Sequence, residues 1–407
     1  MDTNDPALQG LIDRVKGAQA AGTKLCIRGG GSKDFYGQAP QGEVLDTRVL
    51  HGTSSYAPTE LVVTTRCGTA LAELEALLAT KGQCLPFEPP HFGAADIAGA
   101  TAAGSTVGST VGTAVGNAAG AAAGTAAGQS GSGPAGRGAT VGGMVAAGLA
   151  GPSRAAVGSV RDYVLGATML NGRGEVLTFG GQVMKNVAGY DVSRLLAGSL
   201  GTLGVILEVS LKVLPVAPAT LTLRLEMDQP GALARLNAWG GQPLPLNASA
   251  WWNGNLLVRL SGAIAAVQAA QLRIGGDVVA APDAAPFWQG LRNHDDEFFA
   301  TAHAAVQGGA ALWRLSVPQT APALALPGEM LVEWGGAQRW LCSTVPAAAV
   351  REAVANVGGH ATLFAALDKS AGVFAPLSAP LARIHRELKK SFDPSGVFNP
   401  GRLYPGL

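Results

Sequence analysis

The sequence predicts an α+β protein of more than one domain. Short apolar strands and helical periodicities alternate through the N-terminal part. From Thr220 onward the pattern becomes strands separated by Ala-rich helices, and the length of 407 residues exceeds one typical domain.

Leu8, Leu11, Ile12 and Val15 fall at helical spacing before Gly22, which predicts a helix over 6–21 leading into a strand at Lys24–Arg28. That strand runs into Gly29-Gly30-Gly31-Ser32-Lys33. Glycines without Cβ allow backbone N–H groups to turn inward as an anion nest, and Arg28 and Lys33 flank it with positive charge. The spacing is neither G-x-G-x-x-G nor a P-loop, so a pyrophosphate of another cofactor and an ordinary glycine turn both stand as readings.

Glu43–Asp46 and Thr59–Arg66 read as strands, and Leu71, Leu74, Leu77 and Leu78 as a helix stopped by Gly82. Residues 93–138 differ in kind. Gly recurs at 104, 108, 112, 116, 120, 124 and 128 among Ala, Thr, Ser and Val, and each such glycine costs a helix about 1 kcal/mol against Ala. A flexible low-complexity insertion is expected there. Order is expected to resume at Ala139–Gly151 and Gly158–Leu170, with Asn171-Gly172 turning the chain into a strand at Glu175–Phe179. A long strand over Gly201–Leu214, ended by Pro215, closes the first domain.

Strands at Thr220–Leu225 and Leu256–Leu260, helices near 229–239 and 262–273, and a hairpin of Met330–Trp334 with Ala337–Leu341 predict an antiparallel sheet with helices on one face. Trp251, Trp252, Trp288, Trp313, Trp334 and Trp340 fall mostly in core phase, though an exposed pair could serve a subunit contact. A helix around 379–391 and a short tail follow.

Composition narrows the function. Only 14% of residues are charged, the net charge is +1 and no Lys/Arg run occurs, which argues against nucleic acid as a partner. Cys26, Cys67, Cys84 and Cys342 form no C-x-x-C pair, so no metal or iron–sulfur site is expected. The start Met1-Asp-Thr-Asn-Asp5 lacks a basic and apolar leader, and no long apolar run could span a bilayer. A cytoplasmic location without a transmembrane segment is expected.

Arg28-Gly-Gly-Gly-Ser32, the glycine-rich Ala139–Gly151, Gly201-Thr-Leu-Gly-Val-Ile206 and Phe392-Asp-Pro-Ser-Gly-Val-Phe-Asn-Pro-Gly-Arg-Leu403 together resemble FAD-linked oxidases of the vanillyl-alcohol oxidase (PCMH) type. Glu88-Pro-Pro-His91, Gly158–Asp162, Gly180–Asp191 and Gly372–Pro380 are similar to the FAD-binding E subunits of bacterial glycolate oxidases. The resemblance covers nearly all the chain except 93–138, which departs from the family.

It implies a PCMH-type FAD-binding domain over 1–216 interrupted by that insertion, a smaller antiparallel α+β cap domain over 217–390, and a tail over 391–407 returning to the first domain. FAD would be held non-covalently, because no His or Cys follows closely on the glycine nest. Arg28, Gly29, Gly30, Gly31, Ser32 and Lys33 would meet the pyrophosphate. Thr140, Gly142, Gly143 and Gly148 would make a second contact, and Ser159, Asp162, Ile206 and Asn399 would approach the rest. His91 either contacts the flavin or ends a turn.

Oxidation of a 2-hydroxy acid by a flavin needs a cation for the carboxylate and a base for the hydroxyl proton. Lys185, Tyr190 and His360 are the residue types that would serve. A solvated lysine and a structural histidine are the plainer readings. The implied function is oxidation of glycolate, or a similar 2-hydroxy acid, to glyoxylate, with electrons passed to a second flavoprotein subunit and an iron–sulfur subunit. The location is then cytoplasmic, or peripheral at the inner membrane through those partners. Related catalytic subunits carry a His-Gly-x-Gly-type metal-binding stretch that has no match here. A self-sufficient oxidase of another acid such as D-lactate, and a scaffold that binds FAD without turnover, are the alternatives.

Overall fold

The structure, a computed structural model, describes residues 4–92, 138–181 and 191–407. The predicted insertion, apart from Gly138, and both Lys185 and Tyr190 lie outside the described residues.

The helix Pro6–Ala21 forms because Asp5 caps it by accepting from Ala7 N at 2.9 Å, Pro6 suits its first turn, and Gly22 ends it at φ 69°. It buries Leu8, Leu11, Ile12 and Val15 and feeds the strand Leu25–Arg28, which pairs in parallel with Glu43–Asp46. A five-stranded antiparallel sheet stands beside this pair, in the order Thr53–Ala57, Val62–Arg66, Val205–Lys212, Val164–Leu170, Val176–Gly180. Val164–Leu170 is buried at every position, as expected of a strand covered on both faces. The helix Leu71–Ala79 joins the same core through Leu71, Leu74 and Leu78.

Three expectations shift in detail. The strand predicted over 59–66 starts at Val62, because Pro58–Glu60 winds into a 3-10 turn and Leu61 takes φ 56°. The strand predicted from Gly201 starts at Val205, after Gly201 and Gly204 bend the chain at φ 71° and 158°. The hairpin at Asn171-Gly172 is wider than a two-residue turn. Leu170 pairs with Val176, the Asn171 side chain accepts from Arg173 N and Glu175 N, and Gly174 rather than Gly172 takes the positive φ.

Residues 219–365 build an eight-stranded sheet. Its helices cover both faces, not one. Leu256, Val258 and Leu260 alternate toward the helices Gln229–Gly240 and Ile264–Ile274, and across the sheet Trp313, Leu341 and Leu363 meet the helix Ala347–Ala355 on that same face. The opposite face, with Ala250, Leu312, Trp340 and Phe364, packs on the helices Ala281–Asn293 and Glu297–Gln307 and on Tyr36, Phe92, Leu149 and Leu200 of the first part. A strand buried on both faces needs cover on both, and alternating apolar side chains such as Leu312 and Trp313 supply it. Trp288, Trp313 and Trp340 are buried as their phase predicted, while Trp251, Trp252 and Trp334 are half-buried.

The helix Ala379–Phe392 brings the tail back. Phe398 bridges to Leu25, and buried Lys389 donates to Asp393 Oδ2 at 2.6 Å and to the carbonyls of Thr202 and Phe398 at 2.7 Å. Among the described residues no helix is long and apolar enough to cross a membrane.

Candidate functional site

The strand Leu25–Arg28 ends at the mouth of an open cleft of about 110 Å³. Four segments far apart in sequence line it, 27–34, 140–147, 200–206 and the tail at Asn399 and Arg402, together with Thr47 and Cys67. Among the described residues none engages the backbone N–H groups of Gly29 through Lys33, so a run of donors is left for a ligand. The loop is pinned from its other side. Buried Arg402 donates to the carbonyls of Lys33 at 3.2 Å, Asp34 at 3.0 Å and Gln38, so those acceptors are turned toward its guanidinium.

The glycines at the loop serve the chain as well as any ligand. A Cβ on Gly30 would overlap the carbonyl of Gly138, and one on Gly29 would overlap the Thr140 hydroxyl. The glycine loop and the start of the helix Val141–Ala147 therefore lie backbone against backbone. Thr140 Oγ1 caps that helix by accepting from Gly143 N at 3.2 Å, and Gly142 lets it approach the strand end at Cys67, where a Cβ would stand 2.7 Å from Cys67 Cβ.

Charge is distributed unevenly along the loop. Arg28 is exposed and paired with Asp34 at 2.5 Å, the Arg28 guanidinium lying beside Gly31. Half-buried Lys33 has no carboxylate within ion-pairing distance among the described residues; its Nζ lies 3.4 Å from Ser32 Oγ and 5.7 Å from the Phe92 ring centre. Desolvation lowers its pKa to about 8. Burial pushes the Cys67 thiol up to about 12, so it lines the cleft as a neutral group.

Of the predicted cofactor residues, Arg28, Gly29, Gly30, Gly31, Ser32, Lys33, Thr140, Gly142, Gly143, Ile206 and Asn399 come together at this cleft. Gly148, Ser159 and Asp162 do not line it. Gly148 ends the helix at φ 64° against Gly198, and Asp162 accepts from Ser159 N at 2.7 Å and Ser159 Oγ at 3.0 Å as a capping box. Those two bonds, the backbone one foremost, hold its carboxyl below the usual range. Asn399 is committed within the chain, accepting from Ile27 N at 2.7 Å and donating to Leu200 O at 2.6 Å, so it clamps the cleft rather than offering a free amide. His91 pairs with Glu75 at 2.9 Å and its N–H donates to Asn293, which fits the turn-ending reading.

His360 opens the strand His360–Ala365, is exposed, and shares the inner face of the large sheet with Arg314. Its pKa is lowered by desolvation and then by Arg314. Lining residues that motif reading missed include Thr47, Cys67, Leu200, Gly201, Gly204 and Arg402. The two glycines before Val205 and the arginine of the tail motif were visible signals.

A cleft that, among the described residues, has unmet backbone donors at one end, a glycine-smoothed wall and a lysine with no carboxylate within ion-pairing distance fits a dinucleotide pyrophosphate. Comparison with known proteins agrees. Residues 8–133 match the family model described as FAD binding domain. Alkyldihydroxyacetonephosphate synthase superposes with a TM-score of 0.59 at 13% identity, covering 96% of this chain and 74% of that one, a likeness of fold alone. D-lactate dehydrogenase of Anaerostipes hadrus is 41% identical over 85 residues, 21% of this chain and 18% of that protein. Glycolate oxidase subunit GlcD of Bacillus subtilis (strain 168) is 38% identical over 84 residues, 21% of this chain and 18% of that protein. Glycolate oxidase subunit GlcE of Escherichia coli (strain K12) is 44% identical over 399 residues, 98% of each chain. Likeness sustained from end to end, on a PCMH-type fold whose cleft suits FAD, makes this chain a member of the glycolate oxidase subunit GlcE family.

Proposed function

We propose that the chain is the FAD-binding subunit of a glycolate oxidase, taking part in oxidation of glycolate to glyoxylate and passing electrons to a second flavoprotein and an iron–sulfur protein. The observation that carries this reading is the cleft at Gly29–Lys33, closed by the segment 140–147 and the tail, in a chain of this family. FAD, when bound, supplies the acceptor for the hydride of the 2-hydroxy acid. Gly29, Gly30, Gly31, Ser32 and Lys33 would hold its pyrophosphate, with Thr140, Gly143 and Ile206 along the remaining wall. Lys185, Tyr190 and His360 are proposed to act on the substrate. The location proposed is the cytoplasm, or its membrane face through the partner subunits.

We read residues 1–216 as the FAD-binding domain, 217–390 as the cap and 391–407 as the returning tail. Support comes from strand pairing: described strands up to Pro215 pair with one another, and those from Ala219 pair with one another. The test is purification of the chain alone and with its partner subunits. The expected outcome is a yellow protein whose flavin is released on denaturation, weak glycolate-dependent dye reduction alone, and full reduction with partners. A flavin-free full chain would overturn the cofactor assignment, and full activity from the chain alone would favour the self-sufficient oxidase.

A further inference from the structure

Every 2-hydroxy acid carries a carboxylate that stays ionised at neutral pH, so a site for one needs a cation that the protein's own acids have not already neutralised. Of the arginines lining the cleft, Arg28 is countered by Asp34 and Arg402 is held by the carbonyls of Lys33, Asp34 and Gln38; outside that lining, Arg259 is countered by Glu88 at 2.7 Å and Arg292 by Glu75. Arg314 is different. It is half-buried on the strand Ala311–Ser316, and among the described residues no carboxylate stands within ion-pairing distance. Its Nη2 donates to the Tyr36 hydroxyl at 3.0 Å, and its guanidinium lies 5.7 Å from that ring's centre.

We propose that Arg314, set by Tyr36, is the residue that binds the substrate carboxylate. The inference rests on the 2-hydroxy-acid reading above. Three geometric facts support it. Tyr36 follows the cleft-lining Asp34 by two residues, so the guanidinium stands where the glycine loop meets the cap sheet. Arg314 lies directly opposite Thr362 and diagonal to His360, on the sheet face that packs against the first part of the chain, which puts a cation beside a histidine able to take the hydroxyl proton. A second arginine, Arg154, sits 4.6 Å above the Trp334 ring and likewise has no carboxylate within ion-pairing distance among the described residues. Arg314 lowers the pKa of both Arg154 and His360, in each case after desolvation, while Asp162 opposes it at Arg154, so positive charge is gathered on this face. Guanidinium in a fixed fork suits a planar carboxylate, and Lys would not replace it fully.

The test uses the FAD-loaded full chain and oxalate, an unreactive carboxylate, titrated by calorimetry, with glycolate oxidation followed separately in the assembled complex. Arg314→Ala is expected to keep its flavin and weaken oxalate about 100-fold, Arg314→Lys about 10-fold, and in the complex KM for glycolate should rise more than kcat falls. Added guanidinium ion should restore oxalate binding to Arg314→Ala, which a merely structural arginine would not allow. Should Arg314→Ala lose flavin or fold, Arg314→Lys and Tyr36→Phe carry the comparison. Unchanged oxalate binding in a folded Arg314 variant overturns the assignment and leaves the glycolate reading intact. A wild-type chain that binds neither oxalate nor glycolate, alone or in the complex, overturns both.

Discussion

Lys33 sits half-buried between Ser32 and Phe92, and its charged form is disfavoured until an anion arrives. Desolvation brings its pKa down to about 8, so the folded chain without ligand gives up this proton well before an unfolded chain would. A pyrophosphate bound at the proposed site would favour the ammonium and raise the pKa again. Binding therefore takes up a proton above pH 8, and FAD affinity should be flat at lower pH and fall by up to about tenfold per unit above it. Titrating the apoprotein by flavin fluorescence on both sides of pH 8 measures this, with Lys33→Met giving a flat, weaker profile. An equal slope in that variant assigns the effect to another group. Gly30 teaches a different lesson at the same scale. A glycine permitting close approach was readable in the sequence, but what approaches includes the chain's own Gly138 carbonyl, 108 positions on, a pairing that no local pattern encodes.

Helices and apolar strands were the most legible elements, because Leu8, Leu11, Ile12 and Val15, or Leu256, Val258 and Leu260, repeat at the period of the structure that buries them. Thr53–Ala57 was not legible. It is an edge strand of Thr, Ser, Ser, Tyr and Ala, mostly exposed, and its pairing with Val62–Arg66 leaves no apolar alternation to read. The covered second face of the large sheet was hidden for a related reason: a strand apolar on both faces reads as a continuous run that does not say which helices lie on which side. The hairpin of Glu329–Glu333 with Gln338–Ser343 was legible as a hairpin, yet the last residue of its first strand carries chemistry that strand patterning ignores. Buried Glu333 accepts from Trp340 Nε1 at 2.7 Å and Gln338 Nε2 at 3.0 Å, while desolvation raises its pKa to about 7. A carboxyl whose folded pKa exceeds its unfolded value of 4.5 favours the folded state while protonated and loses that advantage as pH rises from 4.5 to about 7. Glu333→Gln should match the wild type in thermal midpoint near pH 4.5 and exceed it by about 2–6 °C at pH 8. A difference that does not change between those pH values would mean that Glu333 stays ionised in the fold.

Over the whole molecule, the proposed cofactor cleft exists only because the two ends of the described chain meet. Asp393 is buried, accepting from Lys389 Nζ at 2.6 Å, Phe398 N at 2.8 Å and Val397 N at 3.0 Å. Asp393→Ala leaves Lys389 buried without its counter-ion and two tail amides without an acceptor, which should cost about 3–5 kcal/mol and loosen Asn399 and Arg402 from the glycine loop. The readout is a lowered denaturant midpoint together with lost flavin, and Lys389→Met in the same background should recover part of the stability. A variant that melts normally and keeps its flavin would show that the tail is held by Phe398 and Asn399 without this pair. The motif of the tail was legible, whereas its partners were not, since Ile27 and Asn399 are 372 positions apart. That separation has a consequence in time. A ribosome completes the glycine loop long before it makes the asparagine that clamps it, so on the proposed site the cradle would stay half-built through most of synthesis and capture of the vitamin-derived cofactor would belong to the last moments of biogenesis.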